Sequence, residues 1–257
     1  MKHLIELIVL VLAAGFMALK IIGKLRQYDA KKKTLNSNNP YFGEIGSEKV
    51  SNNRGIYFKI IKPFFDQALS YIGLIVLLPL FGVVSVFILI SDGRPVIFRQ
   101  KRIGLNGKYF YLHKFRTMKN GTPDIPTHMM NLPEEYIIKR GNWLRKYSLD
   151  ELPQLYDIFI GEMSIIGPRP ALWNQEDLVR EREKYGANNI KPGLTGWAQI
   201  NGRDELSIQK KAYLDGEYVK RMSFLFDLKC FLGTISSVVF HKGFVDGVSA
   251  EFGTKDK

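Results

Sequence analysis

Residues 68–91, ALSYIGLIVLLPLFGVVSVFILIS, contain no charged side chain, and this stretch constrains the fold more than any other part of the chain. It exceeds the ~20 apolar residues that carry a helix across a bilayer. Pro79 sits in its middle, where it removes a backbone hydrogen bond and crowds the carbonyl of Ile75, and Gly73 and Gly82 loosen the helix further. Lys59 and Lys62 precede the stretch, and Arg94, Arg99, Lys101 and Arg102 follow it. Basic flanks favour the cytoplasm, so both ends prefer the same side. A proline-broken re-entrant hairpin over 60–91 satisfies that preference, whereas a kinked spanning helix is the alternative that periodicity alone allows.

A second apolar stretch, residues 4–23, reads as an N-terminal transmembrane anchor within 1–26. Lys24, Arg26 and Lys31 to Lys33 place its far end in the cytoplasm, and a secretory signal is the rival reading. Residues 27–55 are polar and rich in Asn, Ser and Gly, as a linker is. The formal net charge of +12, from 37 basic and 25 acidic side chains, calls for an anionic partner: nucleic acid, a phosphate-rich substrate or an acidic membrane face. One cysteine, Cys230, excludes an internal disulfide. The four histidines lack metal-ligand spacing, which makes a zinc site improbable.

Residues 108–118, KYFYLHKFRTM, have strand composition, and strand alternation puts Lys114 and Arg116 on one face with stems about 7 Å apart. That spacing suits a phosphate clamp, although a solvated basic edge reads the same way. GPRP (167–170) holds Arg169 between two prolines, ready for bidentate contact with an oxyanion or simply in a tight turn. KPGLTGWAQINGR (191–203) sets three glycines near Arg203, as a nucleotide-approaching loop or a run of turns.

SLDELPQL (148–155) places Asp150 beside Glu151. Ser148 and Glu151 spell a capping box, but Pro153 would then be the fifth helical residue and strike the carbonyl of Leu149. The helix is therefore expected to start between Asp150 and Leu152, with both carboxylates at its positive end. An ionised carboxylate there can attack phosphorus while its neighbour helps hold a divalent cation, with Arg145 adding phosphate affinity; plain helix capping stays open as the alternative.

KIIKPFFDQALSYIGLIVLLP, QKRIG, HKFRTM, LRKYSLDELPQL, GEMSIIGPRP and KPGLTGWAQINGR, in that order, resemble the bacterial sugar transferases of the monotopic phosphoglycosyl transferase family over residues 57–240. The resemblance implies an α+β, membrane-associated enzyme: a phosphoglycosyl transferase domain over 56–240 whose catalytic part lies on the cytoplasmic face of the bacterial inner membrane, held by the hairpin and interfacial helices. It implies transfer of a sugar 1-phosphate from a UDP-sugar to polyprenyl phosphate, commonly undecaprenyl phosphate, with release of UMP and initiation of a membrane glycan such as an exopolysaccharide. It further implies Asp150 as nucleophile, Glu151 as its partner, Mg2+ at both carboxylates, and Lys114, Arg116, Arg145, Arg169, Arg203 and Asp215 around the substrates. Membrane lipids, and not nucleic acid, are then the further partners. One departure is that Leu78 precedes Pro79 where relatives often carry serine. Residues 223–240 repeat apolar side chains at helical intervals, as a helix at the membrane interface or in the core does, and 241–257 read as a tail.

Overall fold

The computed structural model describes residues 55–123, 133–202 and 205–239, all within one compact unit, Glu48–Lys257. The expected anchor (1–26), nearly all of the linker (27–55), Arg203 and the tail (241–257) lie outside the described residues.

A π-helical turn, Tyr57–Ile61, leads into helix α1, Lys62–Val76, and helix α2 follows as Leu78–Asp92. The two helices are bent by 62° at a one-residue break. Leu77 is that residue: its ψ of 3° leaves the helical region, while its N–H still bonds the carbonyl of Gly73. Pro79 falls in the first turn of α2, where its missing N–H has no helical partner to lose. Among the described residues no single helix is long and apolar enough to cross a membrane; the bent pair reaches that length and composition only together.

Helix α1 is polar on its buried face. Lys62, Asp66 and Ser70, spaced by four, are buried, while Phe64, Phe65, Leu69, Ile72 and Ile75 are exposed. The buried stripe docks on hydrogen bonds. Asp66 accepts from the Ser164 hydroxyl (2.6 Å) and the Ile165 N–H (3.1 Å), and Lys62 donates to Asp227 (2.7 Å). Asp227 also accepts from Tyr57 and Tyr218, each at 2.6 Å.

The strands form two small sheets. Strand β1, Ile97–Ile103, pairs antiparallel with β2, Tyr109–Phe115, from Ile97 opposite Phe115 to Ile103 opposite Tyr109. Helix α3 (Gly141–Lys146), a 3-10 turn (Leu149–Glu151) and helix α4 (Gln154–Phe159) come next. Strand β3 (Ser164–Ile166), helix α5 (Glu176–Glu183) and strand β4 (Gly193–Thr195) follow, with β3 and β4 parallel. Helices α6 (Trp197–Ile200), α7 (Ile208–Arg221) and α8 (Phe224–Val239) complete the unit. The mixture is α+β, as expected from the sequence.

Several small apolar clusters replace one large core. Val84 and Ile88 of α2 pack with Phe115, Ile138 and Leu144; Ile166 packs with Tyr218, Phe226 and Cys230; Phe110 and Leu112 pack with Ile158 and Met163. Gly193 and Gly196 lie against the backbone of Gly167, where a Cβ on either would collide with main-chain atoms. The glycines of KPGLTGWAQ are thus used for backbone packing against the GPRP loop. A neighbour that is backbone cannot swing aside.

Truncating Asp227 to alanine leaves the buried Lys62 ammonium without its shortest partner, which by analogy with other broken buried pairs costs roughly 3–5 kcal/mol. Chemical denaturation of Asp227→Ala in detergent should show that loss, and Asp227→Asn, which keeps an acceptor for Tyr57 and Tyr218, should lose less.

Candidate active site

Ser148 adopts a left-handed conformation (φ 54°) and its side chain makes no capping hydrogen bond. The capping box is therefore not formed. The following 3-10 turn holds Asp150 and Glu151, and α4 begins only at Gln154 with Pro153 just before it. The sequence reading expected the helix two to four residues earlier. Proline fits at this later boundary because its N–H is free there in any case.

Both carboxylates are buried. One oxygen of Glu151 accepts from Lys114 of β2 and from Arg169 of the GPRP loop, each at 2.9 Å. Buried His113, the residue before Lys114, bonds Asp157 of α4 through both its backbone N–H (2.9 Å) and its ring Nδ1 (2.6 Å). Strand β2 is thereby tied to α4, which sets Lys114 opposite Glu151. Burial raises the pKa of Asp150 above the usual carboxylate range, and the charge of Glu151 adds to it, against the opposing pull of Lys114, Arg145 and Arg169. Lys114 is shifted down by burial, with Glu151 opposing. Three cations therefore surround two carboxylates in a poorly hydrated place. Such a site favours a multiply anionic ligand.

The structure brings together Asp150, Glu151, Lys114, Arg145 and Arg169. It separates two other expected residues from them. Arg116 is buried and donates to the Asp92 carboxylate (2.8 Å) and to the carbonyls of Asp92 (2.9 Å) and Gly93 (2.8 Å). It thus caps the end of α2 and is no half of a phosphate clamp: strand β2 ends at Phe115, so the alternation that pairs it with Lys114 does not continue. Asp215, fully buried on α7, accepts from Arg182 of α5 at 2.7–2.8 Å and so fastens two helices together. Its charge is already met. Cys230 is buried, and its thiol is pushed up to about 12, first by burial and then by the Asp227 charge, which removes it as a nucleophile.

No group of three or more His, Cys, Asp or Glu side chains among the described residues is arranged around a common metal position. Adjacent Asp150 and Glu151 are the carboxylates that would hold a magnesium ion, which takes one or two protein carboxylates and completes its shell with substrate phosphates and water.

A family model described as bacterial sugar transferase matches residues 57–241. The chain belongs to the bacterial sugar transferase family. It is 45% identical over 152 residues to an uncharacterized sugar transferase, EpsL, of Bacillus subtilis, covering 59% of this chain and 73% of that one. It is 36% identical over 213 residues to a UDP-glucose:undecaprenyl-phosphate glucose-1-phosphate transferase of Xanthomonas campestris, covering 77% of this chain and 44% of the relative. It is 37% identical over 199 residues to the exopolysaccharide production protein ExoY of Sinorhizobium fredii, covering 72% and 88%. The chain thus matches less than half the length of the Xanthomonas enzyme, and this sugar transferase domain is the shared part.

Sequence reasoning missed the polar stripe Lys62, Asp66 and Ser70 and the His113–Asp157 pair. A signal for the stripe was present: polar residues at intervals of four beside an otherwise apolar run.

Asp150 is predicted to cost the sugar transferase stability at neutral pH. Its folded pKa lies above the unfolded value, so its stabilising contribution is complete when it is protonated and is lost as pH rises through the folded pKa. Asp150→Asn should therefore raise Tm at pH 7, and the gain should vanish below about pH 4. Thermal unfolding at both pH values measures it.

Proposed function

We propose that this sugar transferase moves a sugar 1-phosphate from a UDP-sugar to polyprenyl phosphate at the cytoplasmic face of the bacterial inner membrane, initiating a membrane-assembled glycan such as an exopolysaccharide. The observation that carries the reading is the buried Asp150 beside Glu151, ringed by Lys114, Arg145 and Arg169. The names of the Xanthomonas and Sinorhizobium relatives supply the chemical class: glucose 1-phosphate, undecaprenyl phosphate and exopolysaccharide.

In the first step an ionised Asp150 oxygen attacks the phosphorus bonded to the sugar. An aspartyl phosphosugar bond forms, the bridging P–O bond breaks and its electrons leave with UMP. In the second step an oxygen of the polyprenyl phosphate attacks the same phosphorus and the Asp150 carboxylate departs. Desolvation makes the carboxylate a stronger nucleophile, and the neighbouring cations keep enough of it ionised. Lys114 and Arg169, which share Glu151, can turn to the incoming phosphates as charge arrives; Glu151 and Asp150 would be the residues to hold magnesium. When bound, that ion neutralises phosphate charge.

The bent helix pair supports a re-entrant membrane wedge. Arms of 15 residues, each about 22 Å long, bent by 62°, reach roughly 11 Å below a plane through their outer ends. That is less than half of the ~30 Å hydrocarbon core. The outward side chains fit immersion: Phe64 is 66% exposed, Val86 55% and Ile90 82%. Helix α8 adds Leu225, Leu228, Leu232 and Ile235 on its exposed face, while Phe226, Asp227 and Cys230 are buried, as suits a helix lying at the interface.

A panel of UDP-sugars with undecaprenyl phosphate and magnesium should yield UMP for at least one donor, and Asp150→Asn should lose at least ~10³-fold in rate. Rapid quench with radiolabelled donor alone should leave label on the protein; no labelled protein with an active donor would mean direct displacement. The pH profile of kcat/KM should be narrowed from both sides. Its acid limb should lie above the ordinary carboxylate value of about 4, because Asp150 is raised, and its alkaline limb below the ordinary lysine value of about 10.4, because Lys114 is lowered.

A further inference from the structure

A cavity of about 480 Å³ opens between the second arm of the bent pair and the segment that leads to the carboxylates. Helix α2 lines it with Leu80, Val83 and Phe87, α3 with Trp143, and Leu149, the residue before Asp150, lines it too. The volume falls within the range of about 300–1,000 Å³ typical of small-molecule sites. Arg140 stands at its rim as the one charged lining residue, exposed, held at a left-handed φ of 61° and in no ion pair with another described residue.

We propose that this cavity receives the isoprenoid chain of the lipid phosphate acceptor next to its headgroup, with Arg140 attracting the phosphate. The inference rests on the transferase reading above and assigns its second substrate a place. Three features select this occupant over the donor. The lining is almost wholly apolar, so it rewards methylene groups and offers a sugar or a uracil ring few hydrogen-bond partners. Half of it belongs to α2, the arm whose outward face carries exposed Val86 and Ile90, so a lipid tail reaches it without passing through water. Its lining includes Leu149, bonded in sequence to the residue that the acceptor phosphate must approach. A cation at the rim of an apolar slot matches a molecule with one anionic end and a hydrocarbon body. An ordinary phospholipid shares part of that chemistry, so the test separates the two.

A prenyl phosphate carrying a diazirine on its second isoprene unit, photolysed with the full chain in nanodiscs, should label peptides containing 80–87 and 143–149. Undecaprenyl phosphate should compete the label away, and an equal amount of anionic phospholipid should not. Labelling confined to α8, or equal competition by phospholipid, would overturn the assignment. Val83→Trp, at an exposed position where the added ring projects into the slot, should raise KM for undecaprenyl phosphate about tenfold while KM for the UDP-sugar moves less than twofold. Unchanged acceptor KM would also overturn it. Because the labelling needs no turnover, a chain inactive with every donor would sink the transferase reading while leaving the cavity assignment to be decided by the label alone.

Discussion

A helix with apolar side chains facing out and a lysine, an aspartate and a serine facing in is unstable in water unless the inward groups are fully bonded and the outward ones covered. Helix α1 meets the first condition through Asp227, which accepts from Lys62, Tyr57 and Tyr218, and through Asp66, which accepts from Ser164 and Ile165. These bonds connect the start of the bent pair to β3, α7 and α8. The rest of the unit is referred to this joint. Ser164 and Ile165 lead directly into the GPRP loop, so the groups that hold the bent pair also fix the base from which Arg169 reaches Glu151. Apolar packing alone would permit α1 to slide or rotate against its neighbours, because hydrophobic contact has little directionality. Directional bonds to buried carboxylates forbid it.

The same principle, a charge held by groups from distant parts of the chain, recurs around the reactive turn. Glu151 draws Lys114 from one sheet and Arg169 from the loop after the other. Removing Glu151 leaves Lys114 and Arg169 without this shared acceptor, whereas removing either cation leaves Glu151 paired with the other. Arg116 does the equivalent task at the far end of the bent pair, where it satisfies carbonyls that α2 leaves open. Both ends of the apolar pair are therefore anchored in the catalytic unit by charge, and its middle is left without such bonds.

The bend and the pairing of Asp150 with Glu151 were legible in the sequence because each rests on local chemistry, a proline in an apolar run and a proline that forbids an earlier helix start, while the α+β mixture was legible through the family resemblance. Lys114 and Arg116 show where local reasoning stops. Alternation places them on one face, yet β2 ends between them and the second side chain turns to the end of α2. Asp215 is similar: an acid in the middle of a helix looks available until Arg182 arrives from a separate helix. The two-to-four-residue error in the start of α4 has a different origin. The left-handed Ser148 tightens the chain into a separate 3-10 turn, and no residue pattern distinguishes that from the first turn of a helix.

Placing the acids in that short turn and not within α4 has a chemical consequence. A carboxylate inside a helix projects along a direction fixed by the helix axis, and neighbours in sequence diverge by about 100°. In the 3-10 turn bounded by Ser148 and Pro153, closed by bonds from Glu151 N–H to Ser148 and Leu152 N–H to Leu149, neighbours diverge more widely still, by about 120°. Glu151 thus meets Lys114 and Arg169 on one side, while Asp150 follows Leu149, a residue that also lines the apolar slot. A soluble anionic donor and a membrane-borne acceptor need different paths to one oxygen atom. On the proposed reading, charge would define the first path and hydrocarbon the second, and the turn at Leu149–Glu151 would be where they meet.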